Sequence, residues 1–202
     1  MCPETQKRSY ELRRRAEKMA ATRQRITQAA VDLHGSIGPA RTTITAVADR
    51  AGVQRHTVYR HFPTEDELFA ACSGHYFAAH PWPDLSEWRA IADPAQRLAH
   101  GLDELYAYYE RTDAMLANVL RDAALVPGVE PALAGFRAFV EDAARALAAG
   151  WGARGQRRAV VAAAARHAVA FATWRSLAGE GGVSRERAVE LASAMVLRAA
   201  GR

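Results

Sequence analysis

Cysteine, long apolar runs and alternating strand patterns are what this chain most conspicuously lacks. Cys2 and Cys72 are its only cysteines, which excludes a disulfide framework and fits a reducing compartment. No stretch approaches the roughly 18 apolar residues that cross a bilayer. The opening segment MCPETQKRSYELRRR has no apolar centre of the kind a secretory signal needs. A cytoplasmic location without membrane contact is therefore expected. Also missing are a glycine-rich phosphate loop, a nucleophile motif and a convergent pair of carboxylates. Asp103-Glu104 and Glu141-Asp142 are sequence neighbours, so they diverge around their helices. An enzyme is not expected, nor is a cofactor. No self-similarity with a period of 20 to 50 residues marks a solenoid.

What the chain does have is apolar residues in half of its 202 positions, ample for a packed core, and an uneven distribution of charge. Residues 1–62 carry 12 Lys+Arg against five Asp+Glu, a net +7, and the remainder carries 15 against 17, a net −2. Such segregation points to one part that meets a polyanion and another that does something else.

The apolar spacing is helical almost throughout, and the expected class is all-α with about nine helices. Ile26, Ala29, Ala30 and Leu33 make the first stripe, with Thr22 as its cap and Gly38-Pro39 as its stop. Thr43 caps a short helix bearing Val47, Ala48 and Ala51, which Gly52 ends. Another short helix runs from about Gln54 to His61. Thr64 and Glu67 then form a Thr-x-x-Glu capping box ahead of Leu68, Phe69 and Cys72.

Beyond the loop His80-Pro81-Trp82-Pro83 the helices become longer and richer in alanine. Asp93-Pro94 opens a stripe of Leu98, Leu102, Leu105 and Tyr109. Met115, Val119 and Leu120 read as a separate short helix, broken by Pro127-Gly128. Leu133, Phe136, Val140, Ala144 and Leu147 mark the next. A long helix is expected from about Gln156 to Ala178, and Ser184 caps the last, with Ala188, Leu191, Met195 and Ala199 aligned.

The segment GVQRHTVYRHFP, residues 52–63, crowds donors onto one of the short helices. Two short helices joined by Ala51-Gly52-Val53 fit a helix-turn-helix, whose second helix enters the major groove. On a helical period Val58 and Phe62 face inward, while Arg55, His56, Tyr59 and Arg60 spread over the opposite side. Gln54, Arg55, His56 and Thr57, near the helix start, are candidates to read base edges. Arg55 suits a bidentate contact with guanine. Tyr59, Arg60 and His61 suit phosphates, as does Thr43 with its hydroxyl and the helix N-terminus behind it.

These residues resemble the N-terminal domain of the TetR-like bacterial repressors. The match runs through Gly38, Thr43-Ile44-Thr45-Ala46-Val47-Ala48, Ala51-Gly52-Val53, Val58-Tyr59-Arg60-His61-Phe62 and Leu68, over residues 22–70. The resemblance implies a basic arm at 1–21, a helix-turn-helix DNA-binding domain at 22–68 and a helical effector-binding and dimerisation domain at 69–202. It adds Thr45 to the DNA-contacting set. It also implies a homodimer on a palindromic operator in double-stranded DNA, released by a small hydrophobic or aromatic effector. Three positions depart from the family. Glu65 stands where a phosphate-binding Lys is common, His34 replaces a core Phe, and Thr45 replaces a longer side chain.

In the second half, the small face of Val161, Ala165, Ala168 and Ala172, with Leu191 and Met195, is the expected dimer seam. In the resembled family the last two helices form it. The expected effector pocket comprises Leu102, Leu105, Tyr106, Tyr109, Val119, Phe136, Phe139, His167, Phe171 and Trp174. His167, amid Ala164, Phe171 and Trp174, is expected to sit satisfied in the core or to offer a hydrogen bond to a ligand. Two rival readings remain. Cys72-x-x-His75 with His80 could make a metal-responsive regulator, although three ligands fall short of a closed structural site. The protein could instead coat DNA without sequence choice. The basic arm, Lys7 to Lys18, either extends the first helix or lies in a minor groove.

Overall fold

The computed structural model describes residues 3–202, with side chains from residue 8 onward, and among these there are ten α-helices and no strand. They are α1 (Pro3–Ser36), α2 (Ile44–Ala51), α3 (Arg55–His61), α4 (Glu65–Ala79), α5 (Leu85–Ala90), α6 (Pro94–Asp122), α7 (Val129–Leu147), α8 (Gly155–Ala168), α9 (Phe171–Trp174) and α10 (Arg185–Ala200). None of the described helices is long and apolar enough to cross a membrane. The chain divides into two compact units. The first holds the residues up to Ala79 together with Ala114–Ala132, and the second holds His80–Asp113 and Leu133–Arg202. Residues 94–113 of α6 thus belong to the second unit and residues 114–122 to the first.

The core of the first unit joins Ile26, Ala29, Ala30 and Val31 of α1 to Val47, Ala48 and Ala51 of α2, Val58 of α3, Phe62, and Leu68 and Cys72 of α4. Most of the expected punctuation is in place. The Thr43 hydroxyl accepts the Ala46 amide at 3.1 Å, and Gly52 ends α2 in the left-handed conformation at φ 64°. Thr64 accepts the Glu67 amide at 3.2 Å. Thr22 is a correction. It lies inside α1, and its hydroxyl donates to the Lys18 carbonyl at 2.9 Å, so the helix runs through it instead of starting there.

The end of α1 is held by side chains of α6. The Asn118 amide donates to the carbonyls of His34 at 3.2 Å and Gly35 at 2.8 Å, and the Arg121 guanidinium donates to that of Ile37 at 3.3 Å. Asp122, buried, takes the Ala40 amide at 3.0 Å and Arg121 Nε at 2.7 Å. Gly38, with φ 91°, lies so close to Asp122 and Arg121 that a Cβ would collide with both. This accounts for the glycine chemically as well as by its backbone angle.

In the second unit the chain departs from its expected helices in three places. A short helix, α5, is present that no strong periodicity announces. Asp84 caps it by accepting the Ser86 amide at 2.8 Å, and Trp88 anchors it, fully buried. The two helices expected around Leu98–Tyr109 and Met115–Leu120 are one, α6, because neither Gly nor Pro stands between Tyr109 and Met115 and Thr112 satisfies itself on the Tyr108 carbonyl at 2.8 Å. The long helix expected from Gln156 to Ala178 is broken. Ala170 is extended (φ −68°, ψ 134°), and the chain resumes as α9, which continues as a π-helical segment, Arg175–Gly179. The carbonyls freed at the break have partners: Tyr106 donates to Ala168 O at 2.9 Å, Tyr109 to Val169 O at 2.7 Å, and Thr173 to His167 O at 2.6 Å.

Candidate nucleic-acid interface

Helix α3 follows α2 after a three-residue turn, and the turn's own hydrogen bonds fix it. The Gly52 amide donates to Asp49 O at 3.1 Å and the Val53 amide to Ala48 O at 3.0 Å. Val58 and Phe62, both essentially inaccessible, anchor α3 to the core. This leaves Gln54, Arg55, His56, Tyr59 and Arg60 exposed and Thr57 half-buried along the outer side, with Thr43 and Thr45 exposed at the start of α2. Gln54 caps α3 through its backbone, and its side-chain amide makes no hydrogen bond to the helix start. The exposed cluster carries two guanidiniums, an imidazole, a phenol, an amide and hydroxyls on one rigid scaffold. Such a set can hydrogen-bond base edges and phosphate oxygens together.

His61 does not join that set. Its side chain is buried, its Nε2 has no hydrogen-bond partner among the described residues, and its pKa is lowered, first by burial and then by the charges of Arg60 and Arg23. Arg23 of α1, to which the sequence assigns no role, holds the end of α3. Its guanidinium donates to the His61 carbonyl and lies 3.9 Å from the centre of the Phe62 ring. Spacing alone could not reveal this pair, because the residues are 38 positions apart. Arg50 is committed as well, pairing with Asp32 at 2.9 Å. Glu65 stands exposed in the first turn of α4 beside Asp66 and Glu67.

His34 occupies its expected core position. It is buried and stacks on Phe69, with ring centres 5.1 Å apart and planes 13° from parallel. Burial pushes its pKa down to about 4, against the pull of the Asp122 charge. The Cys72 thiol is likewise buried, pushed up to about 12 by desolvation, and points its sulfur at Thr27 O, 3.8 Å away. His75 is engaged by Gln28 at 2.9 Å. No group of three or more His, Cys, Asp or Glu among the described residues is placed to hold a metal ion. Of the residues named for the metal-responsive alternative, Cys72 thus lies in the core of the first unit and His75 is held by Gln28.

In the second unit Leu102, Leu105, Tyr106, Tyr109, Phe136, Phe139, Phe171 and Trp174 are all buried. Tyr109 is the hub, with ring centres 5.3 Å from Phe171, 5.9 Å from Trp174 and 6.3 Å from Tyr106. Val119 belongs to the first unit and is half-buried. His167 is exposed. The break at Ala170 shifts Phe171 and Trp174 out of its helical phase, so it is not the core imidazole that an unbroken helix implied. Of the expected seam, Val161, Ala165 and Ala168 are buried within the unit, Ala172 and Leu191 are exposed, and Met195 is half-buried. The neighbouring Val160, Ala163, Ala164 and His167 instead line an apolar groove with Met195, Arg198 and Ala199 of α10.

Fold and site together define an all-helical protein that presents a helix-turn-helix from its N-terminal part. The sequence model of the bacterial regulatory proteins, tetR family, matches residues 26–72, the stretch that holds the helix-turn-helix. An HTH-type transcriptional repressor of Mycobacterium tuberculosis is 46% identical over 50 residues, 25% of this chain. An HTH-type transcriptional regulator of Mycobacterium bovis is equally similar. The match spans about a quarter (27%) of the length of these relatives. Among solved structures, a TetR-like transcriptional regulator from Rhodococcus sp. RHA1 superposes with a TM-score of 0.62 at 22% identity, covering 89% of this chain and 95% of that one. A TetR transcription regulator from Haloarcula marismortui gives 0.56 at 17% identity, covering 90% and 97%. The fold is therefore TetR-like along most of the chain.

Proposed function

We propose that the protein is a sequence-specific DNA-binding transcriptional regulator that acts as a repressor on a palindromic operator. The observation that carries this reading is α3, locked to the core by Val58 and Phe62 while Gln54, Arg55, His56, Tyr59 and Arg60 stand outward. Gln54, Arg55, His56 and Thr57 read bases. Tyr59 and Arg60, with Thr43 and Thr45 across the turn, hold phosphates. A homodimer supplies the two reading heads, and its seam is the exposed groove of α8 and α10 around Val160, Ala164, His167, Leu191 and Met195. The effector is small and aromatic or hydrophobic, received by the ring cluster about Tyr109. Support for this comes from Trp174, whose Nε1 is buried without a hydrogen-bond partner among the described residues and would give a ligand one polar anchor.

Selection from a genomic fragment library at several salt concentrations tests the reading, because a specific regulator enriches one palindromic motif. Arg55→Ala should cost about 1 to 3 kcal/mol and relax the choice of base at one position in each half-site. Tyr59→Phe should weaken binding evenly across sequences. Loss of affinity with unchanged base preference in both variants would overturn the division into readers and clamps. An unenriched library would favour an architectural DNA-binding protein.

A further inference from the structure

About two-thirds of the chain's longest helix precedes the first of its residues that joins the core. Helix α1 spans 34 residues, yet its contribution to the core begins only at Ile26. Residues 8–21 are exposed at every position. This is not a loose arm but a continuation of α1, so it cannot thread a minor groove as an extended chain would. From Arg8 to Arg23 it reaches about 22 Å at 1.5 Å per residue, roughly two-thirds of a turn of DNA.

Three observations bear on what it meets. Its charge is strongly of one sign, because residues 8–25 hold seven Lys+Arg and two Glu. Glu17 is occupied by Arg13 at 3.1 Å, and among the described residues no carboxylate pairs with Arg8, Arg15 or Lys18. The extension also leaves the domain at a defined point. Arg23 is bound to the His61 carbonyl and to the Phe62 ring, so the free segment starts beside the C-terminal end of α3. Finally, Arg8 and Arg15 lie 18 and 11 residues before Ile26, five and three helical turns, and so share the face of α1 that packs on the core farther along. The basic stripe and the helix-turn-helix are on one side.

From this geometry we infer that residues 8–22 of α1 form a second DNA-contacting element, a rigid basic helix that grips phosphates of the duplex flanking each half-site. The inference rests on the DNA-binding reading of α3 and adds a sequence-independent contact to it. The exposed Leu12 and Met19 share the Ile26 face, and a second copy of α1 could in principle cover them. Two apolar side chains are too few for a helix seam, however, and the guanidiniums and ammonium beside them would face their own kind. A polyanion fits the same surface without that repulsion.

The test uses the full chain and a variant with Arg8→Gln, Arg15→Gln and Lys18→Gln, titrated onto a 40-base-pair duplex of mixed sequence between about 50 and 200 mM salt. If three phosphate contacts per chain are lost, the slope of log affinity against log salt falls by about 3 for each chain bound, and the wild type loses about 40-fold more affinity per bound chain across that range than the variant. All three side chains are exposed, so circular dichroism should show an unchanged helix content. An identical slope in wild type and variant overturns the inference while leaving the α3 reading intact, provided that both select the same motif from the fragment library. A dimer that dissociates in the variant overturns it in favour of contact between copies. Failure of the wild type to bind any duplex would refute the DNA reading itself and this inference with it.

Discussion

Replacing His34 by Phe should make the first unit resist acid better than the natural chain does. The imidazole is buried against Phe69, and desolvation holds its pKa near 4, against 6.5 for an ordinary histidine. A folded pKa below the unfolded one means that the unfolded chain binds the proton more tightly. Its contribution to stability is therefore complete above about pH 6.5 and is lost as pH falls toward 4. With those two values the natural protein loses about 2 kcal/mol between pH 7.5 and 5, and about 3 kcal/mol by pH 4.

The Asp122 charge, which opposes the depression, is already within that figure, and other titrating groups are common to both proteins. The difference between wild type and His34→Phe thus isolates His34. All four tryptophans lie in the second unit, so fluorescence would miss the event. Amide hydrogen exchange of α1, α2 and α4 across the pH series, at fixed protein concentration, reads the right unit. Parallel loss of protection in both proteins down to pH 5 would show that His34 is not held neutral in the core.

Two further substitutions probe the parts that spacing did not disclose. Asp122→Ala removes a buried acceptor from the Ala40 amide and the partner of Arg121, and should lower the stability of the first unit by about 1 to 3 kcal/mol, read as a shift in urea midpoint. Tyr109→Phe strips the Val169 carbonyl of its hydroxyl partner and should cost about 1 to 2 kcal/mol. Its signature is faster amide exchange over residues 169–179, and unchanged exchange there would mean that the hydroxyl does not hold the break. The Arg55→Ala and Tyr59→Phe pair tests the reading of α3, and the salt slope of the Arg8, Arg15 and Lys18 variant tests the helical extension.

The first unit was legible because its signals are local. Thr43 capping α2, Gly52 in the left-handed turn, and Val58 and Phe62 spaced to face inward each act within a few residues. Together they define the exposed set on α3 without reference to the rest of the chain. Position alone places His61 outward with its neighbours on α3, yet its ring is buried. The role of Arg23 is not legible in the same way, because nothing in the sequence links a residue of α1 to the end of α3.

By itself, then, the sequence determined the helical class, the helix-turn-helix and its outward donors, because helical periodicity, caps and glycine turns are written in residues close together. Only the tertiary structure decided where the long C-terminal helix breaks, which side chains cap α1, and on which side His167 lies. Ala170 is extended with no proline or glycine to announce it, and its neighbours' carbonyls are satisfied by Tyr106 and Tyr109, some 60 residues earlier. Likewise α1 ends where Asn118 and Arg121 accept the burden of its last carbonyls, more than 80 residues on. A backbone polar group can leave its helix when a distant side chain replaces the lost hydrogen bond. Such a partner exists only once the chain has folded around it.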